Sequence, residues 1–154
     1  LEALADELRS SGFTRTLRPF QLKNLHRLVN LPHGADFSVP GAGKTTVALA
    51  AYSILRARGI VLRLAVIGPI AAFGAWKEEL VACFSIPPSF VIHMGPGTII
   101  PQNTEVLLSN YNRTANDYDT VRAFVAAEPC QVILDEAHRV KRGAAGVHGR
   151  AVLD

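Results

Sequence analysis

The chain has 154 residues, 49% hydrophobic and 19% charged, with a net charge of +3. That is apolar material for the core of one domain and too much for a disordered segment. No apolar run approaches the roughly 18 residues that cross a bilayer, and the opening "LEALADELRS" is acidic and amphipathic, unlike a signal peptide.

From Pro19 to Leu31, the residues Leu22, Leu25, Leu28 and Val29 recur at helical spacing, and Pro19 suits a first helical turn. "ADFSV" at 35–39 reads as a short strand that ends in a glycine-rich turn. A helix over 44–58 stops at Gly59, and a strand follows over 60–68. The pattern predicts a helix over 71–84 with Phe73, Trp76 and Leu80 on one face. Strands at 89–94 and 105–109 flank a loop rich in Pro and Gly. A helix over 117–127 turns Val121, Phe124 and Val125 inward, and a strand over 131–136 ends in two carboxylates. Strands that alternate with helices and are apolar on both faces predict an α/β fold with a mainly parallel central sheet flanked by helices. Ligands bind such sheets beyond the carboxyl ends of the strands, where the glycine turn and the carboxylates both fall.

"FSVPGAGKTT" at 37–46 has the second half of a phosphate loop, Gly43-Lys44-Thr45, but Ser38 stands where the pattern G-x-x-x-x-G-K-[ST] has its first glycine. Gly41 and Gly43 permit a close backbone approach, Lys44 supplies a cation and Thr45 a hydroxyl for Mg2+. By itself the segment could also be a glycine turn joining strand to helix. "VILDEAH" at 132–138 gives an apolar strand ending in Asp135-Glu136. That is what a metal-holding and water-activating carboxylate pair needs, although exposed acids at a loop start would look the same. Both elements together, in this order, predict a nucleotide-hydrolysing site.

The residues also resemble a family. "DEAHRVK" at 135–141 resembles motif II of superfamily-two helicases, in its Swi/Snf-type branch. "LRPFQ" at 17–21 resembles the Q motif, and "SVPGAGKTT" a motif I without its first glycine. "VIGPIAAFGAWKEEL" at 66–80 resembles motif Ia, with Pro69, Trp76 and Glu79, and "VLLSNYNR" at 106–113 resembles motif Ib. The resemblance implies a three-layer RecA-like P-loop NTPase lobe over residues 1–154, truncated before motif III and lacking the second lobe. It implies ATP and Mg2+ as cofactors, bound by Arg18, Gln21, Pro40, Gly41, Ala42, Gly43, Lys44, Thr45, Thr46, Asp135 and His138. Gln21 would read adenine, Thr45 and Asp135 would hold the metal, and Lys44 and Glu136 would be catalytic. His138 would couple nucleotide state to other motifs. Pro69, Ile70, Asn110 and Tyr111 would face a nucleic-acid backbone.

The implied whole protein is an ATP hydrolase that moves along nucleic acid, with double-stranded DNA the favoured substrate. Its partners would be that nucleic acid and a second RecA-like lobe of the same chain, with no membrane. It would sit in a prokaryotic cytoplasm with the nucleoid, or in a eukaryotic nucleus. An arginine finger from the second lobe contributes roughly three to five orders of magnitude in related enzymes, so these residues alone should bind ATP weakly and scarcely hydrolyse it. The rival readings are a P-loop NTPase acting on a substrate other than nucleic acid, and a non-catalytic lobe that binds nucleic acid or a partner.

Single residues keep plainer readings. Gln21 could be a polar position on a surface helix, Trp76 reads as a core anchor, Glu79 could pair with a nearby base or cap a turn, and His138 could be a loop histidine. His26, His33, His93 and His148 share no metal-ligand spacing, and Cys83 and Cys130 form no CxxC, which argues for a reducing compartment. Arg15, Arg18, Lys23 and Arg27 form one basic cluster and Arg139, Lys141 and Arg142 another. They are compatible with a nucleic-acid partner and with ordinary surface charge.

Overall fold

Among the described residues, five strands in the order β1-β5-β2-β4-β3 form one sheet in which every adjacent pair is parallel. The computed structural model describes residues 1–30, 37–39 and 43–135, with only the backbone of 37–39. Pro40, Gly41, Ala42, Glu136 and His138, the start of the first expected strand at 35–36 and the Arg139/Lys141/Arg142 cluster lie outside the described residues. The elements are α1 (Glu2–Ser10), α2 (Pro19–Val29), β1 (Phe37–Val39), α3 (Lys44–Ala57), β2 (Arg63–Ile67) and a 3-10 turn (Ile70–Ala72). They continue with α4 (Phe73–Ala82), β3 (Phe90–Ile92), β4 (Val106–Ser109), α5 (Tyr111–Asn116), α6 (Tyr118–Ala127) and β5 (Cys130–Asp135).

Strand alternation explains the three layers. Leu64, Val66, Val106, Leu108 and Ile133 point to one face, where they pack with α1 to α4. Their neighbours Ala65, Ile67, Leu107 and Leu134 point to the other, against Tyr111 of α5 and Val121 and Phe124 of α6. Both faces are covered, so the strands read as continuous apolar runs instead of alternating ones. Helix α3 is buried from Thr46 to Leu55 because α1, α2 and α4 all pack on it. Its alanines at 48, 50 and 51 let those neighbours approach.

The expected α/β architecture is the observed one, and the differences are local. The strand expected over 60–68 begins only at Arg63, because Gly59 turns left-handed (φ +76°) and Ile60 N–H closes the end of α3 on Leu55 O (2.9 Å). The helix expected over 71–84 is split into a 3-10 turn and α4. The polar segment after β4 forms a helix of its own, α5, whose first turn is capped by Asn110 Oδ1 accepting from Arg113 N–H at 2.7 Å. Among the described residues no helix is long and apolar enough to cross a membrane.

Candidate active site

Parallel register puts the carboxyl ends of β1 and β5 side by side, with Val39 opposite Asp135. Gly43, four residues past Val39, has a left-handed backbone (φ +79°) and starts α3 at Lys44. A side chain at 43 would be strained by that φ. Lys44 and Thr45 therefore sit in the first turn of a 14-residue helix, where its N–H groups and dipole favour an anion. Both are half-buried, and among the described residues neither side chain is engaged in a hydrogen bond or ion pair. Thr46 instead turns inward, 8% exposed, and donates to Glu79 Oε1 at 3.1 Å.

Gln21 lies beside this turn. Its Oε1 accepts from Arg18 N–H (2.9 Å), which caps α2, while its Nε2 stands 3.7 Å from where a Cβ on Gly43 would be. Its role at the helix start was not foreseen, and it brings Arg18 and Gln21 to the same edge as Lys44.

Asp135 is held from three directions. Trp76 Nε1–H donates to Oδ2 at 3.1 Å, Tyr111 Oη–H donates to the backbone carbonyl at 2.7 Å, and Gly68 packs against its Cβ. A Cβ on Gly68 would stand 2.7 Å from that of Asp135, so only glycine fits. Among the described residues no hydrogen bond goes to Oδ1. Among the described residues, a carboxylate oxygen without a hydrogen bond on β5 and a hydroxyl and a cation at the start of α3 are the donor types that suit Mg2+ with a nucleotide, since Mg2+ typically takes one or two carboxylates plus substrate phosphates. Among the described residues no group of three or more His, Cys, Asp or Glu could form an all-protein metal site.

Glu79 does more than pair with a base. It accepts from Thr46 of α3 and Cys83 Sγ (3.1 Å) and forms an ion pair with Arg15 (3.1 Å), ahead of the LRPFQ segment. Burial first, then the Glu79 contact, pushes the Cys83 thiol up to about 12. Burial does the same to Cys130.

The expected nucleic-acid positions divide. Ile70 is 52% exposed at the carboxyl edge beside β2, with half-buried Pro69 preceding it. Asn110 serves as a helix cap. Tyr111 does not face outward: its ring is buried and its hydroxyl anchors Asp135, because the turn after β4 coils into α5 and folds the ring against the sheet. His93, which carried no spacing signal, is fully buried between Ser109 Oγ (Nδ1, 3.0 Å) and Asp117 Oδ2 (Nε2, 2.8 Å). Thr114 donates to the same Ser109 Oγ, so these groups knit the ends of β3 and β4 to α5 and α6. Hydrogen bonds from His93 and then Thr120 hold the Asp117 carboxyl below the usual carboxylate range.

No family model matches the sequence, and no curated protein does. Among solved structures the chain is similar to the SWI2/SNF2 ATPase core of Sulfolobus solfataricus in complex with double-stranded DNA. The TM-score is 0.71 at 20% identity, covering 92% of this chain and 31% of that one. It is also similar to the Sulfolobus solfataricus SWI2/SNF2 ATPase core domain, with a TM-score of 0.59 at 19% identity, covering 80% and 32%. The chain thus spans about a third of the length of the structures it matches. The likeness establishes the fold, a RecA-like α/β lobe of the kind found in SWI2/SNF2 ATPase cores.

Proposed function

We propose that this chain is the ATP-binding lobe of an ATP-dependent translocase on nucleic acid, double-stranded DNA being the favoured track. The observation that carries the reading is that α3 opens with Lys44 and Thr45 a few residues past Val39, which lies opposite Asp135, with Gln21 beside Gly43 and, among the described residues, no hydrogen-bond or ion-pair partner on Lys44 or Thr45. Lys44 meets the β- and γ-phosphates, and the first turn of α3 offers them backbone N–H groups. Thr45 and Asp135 hold Mg2+, which when bound offsets the charge that develops on the transferred phosphoryl group. Glu136, next in the chain after Asp135, orients and deprotonates the attacking water. Gln21 reads the adenine edge, Ile70 and Pro69 face the nucleic-acid backbone, and a second lobe closes the site from the other side.

Binding of a fluorescent ATP analogue tests the reading directly. The chain should bind it in a Mg2+-dependent manner, Lys44→Ala should abolish binding, and Gln21→Ala should lower the preference for ATP over GTP. Equal affinity for ATP and GTP in both the parent chain and Gln21→Ala would favour an NTPase of another class. Duplex DNA binding should fall steeply with salt and depend little on sequence, because backbone phosphates would be the contacts.

A further inference from the structure

Core packing alone does not require tryptophan at 76. It is the chain's single tryptophan and 1% exposed, and a large apolar ring would fill its place. Yet its N–H is directed at Asp135 Oδ2. The terminal torsion of an aspartate is broad, so the plane of the Asp135 carboxylate would otherwise swing over a wide range. A charge-assisted hydrogen bond to one oxygen removes that freedom. Tyr111 fixes the backbone carbonyl of the same residue, so both ends of Asp135 are set. Three residues after Trp76 on α4, Glu79 holds Thr46 of the helix that begins with Lys44 and Thr45. One helix thus grips both sources of the expected metal ligands.

We infer that Trp76 is a positioning residue for the metal-holding carboxylate: its indole N–H fixes Asp135 Oδ2 and leaves Oδ1 for the cation. This rests on the nucleotide-site reading above. Partners that orient a metal-holding group typically change metal affinity by roughly 10–100-fold when removed.

The test uses Mn2+ as the probe, its free concentration read by electron paramagnetic resonance in the presence of a non-hydrolysable ATP analogue. Trp76→Phe keeps a ring in the core without the N–H. Benzothienylalanine at 76, installed through tryptophan-auxotrophic expression, keeps the full shape and replaces N–H by sulfur. Both should weaken Mn2+ binding by about 10-fold or more, while affinity for the analogue in EDTA stays unchanged. Phe73→Leu, which loosens the same helix without touching Asp135, should lower the melting temperature and leave Mn2+ affinity alone. Unchanged Mn2+ affinity in the benzothienyl protein would reduce Trp76 to a core ring. A Phe73→Leu chain that loses Mn2+ as the tryptophan variants do would assign the effect to packing. If the parent chain binds no Mn2+ with the analogue, the nucleotide-site reading itself fails, and the role of Trp76 with it.

Discussion

Gly68→Ala should damage this chain, although a glycine after a strand looks replaceable. Gly68 N–H is bonded to Ser109 O at 2.9 Å, which pins it against β4. On its other side an added Cβ would meet Asp135 Cβ at 2.7 Å and Oδ2 at 3.2 Å. Carbon atoms rest at about 3.5–4.0 Å, so one partner must retreat by about 1 Å. Asp135 cannot retreat cheaply, because β5 lies between β1 and β2 in the sheet. Overpacking of this kind costs about 1–3 kcal/mol, and a central value of ~2 kcal/mol lowers the melting temperature of a domain this size by about 4–8 °C. The methyl would also crowd the oxygen that accepts from Trp76, so Mn2+–nucleotide affinity should fall as well. The internal control is Gly74→Ala: nothing lies within 4 Å of a Cβ there, and it sits in α4. That change should stabilise by a few tenths to about 1 kcal/mol. Thermal and urea unfolding of both variants decides the matter. Equal, neutral effects at 68 and 74 would refute the close packing of the loop on Asp135.

Tyr111→Phe removes the hydroxyl that donates to Asp135 O and should cost about 1 kcal/mol in urea denaturation, with the ring still packed. His93→Phe leaves Ser109 and Asp117 without their imidazole and should cost about 2 kcal/mol at pH 7. Folded Asp117 holds its proton less tightly than unfolded, so its stabilising contribution is whole above about pH 5 and is lost as pH falls through the lowered value. The gap between the parent and His93→Phe should therefore shrink in urea melts from pH 7 to pH 3, and a constant gap would contradict the pairing. Both thiols are pushed up to about 12, so at pH 8 native Cys83 and Cys130 should react with a thiol reagent at least ~100-fold more slowly than in urea, where thiols titrate near their ordinary ~8.5. Equal rates in buffer and urea would show that burial does not suppress them.

The parallel sheet flanked by helices, and most of the helices and strands between Pro19 and Asp135, were legible along the chain, but α1, α5 and the strand order were not. The legible features are local and periodic properties. Apolar strands such as 64–67 and 106–108 announce their two covered faces, Gly59 announces the end of α3, and Gly43-Lys44-Thr45 and Asp135 are contiguous motifs at strand ends. Tertiary structure alone decided what holds those motifs in place, because the partners are far apart in the chain and carry no periodic mark. Trp76 looked like core and is core, but the indole N–H reaches Asp135 59 residues away. Tyr111 looked like a surface turn and is a buried anchor, since whether a polar turn coils into a helix depends on the sheet it packs against. His93 showed no pattern because its partners, Ser109 and Asp117, become neighbours only when β3, β4 and α6 close around it. Motif chemistry is written along the chain, whereas the orientation of a carboxylate is set by groups that meet only after folding.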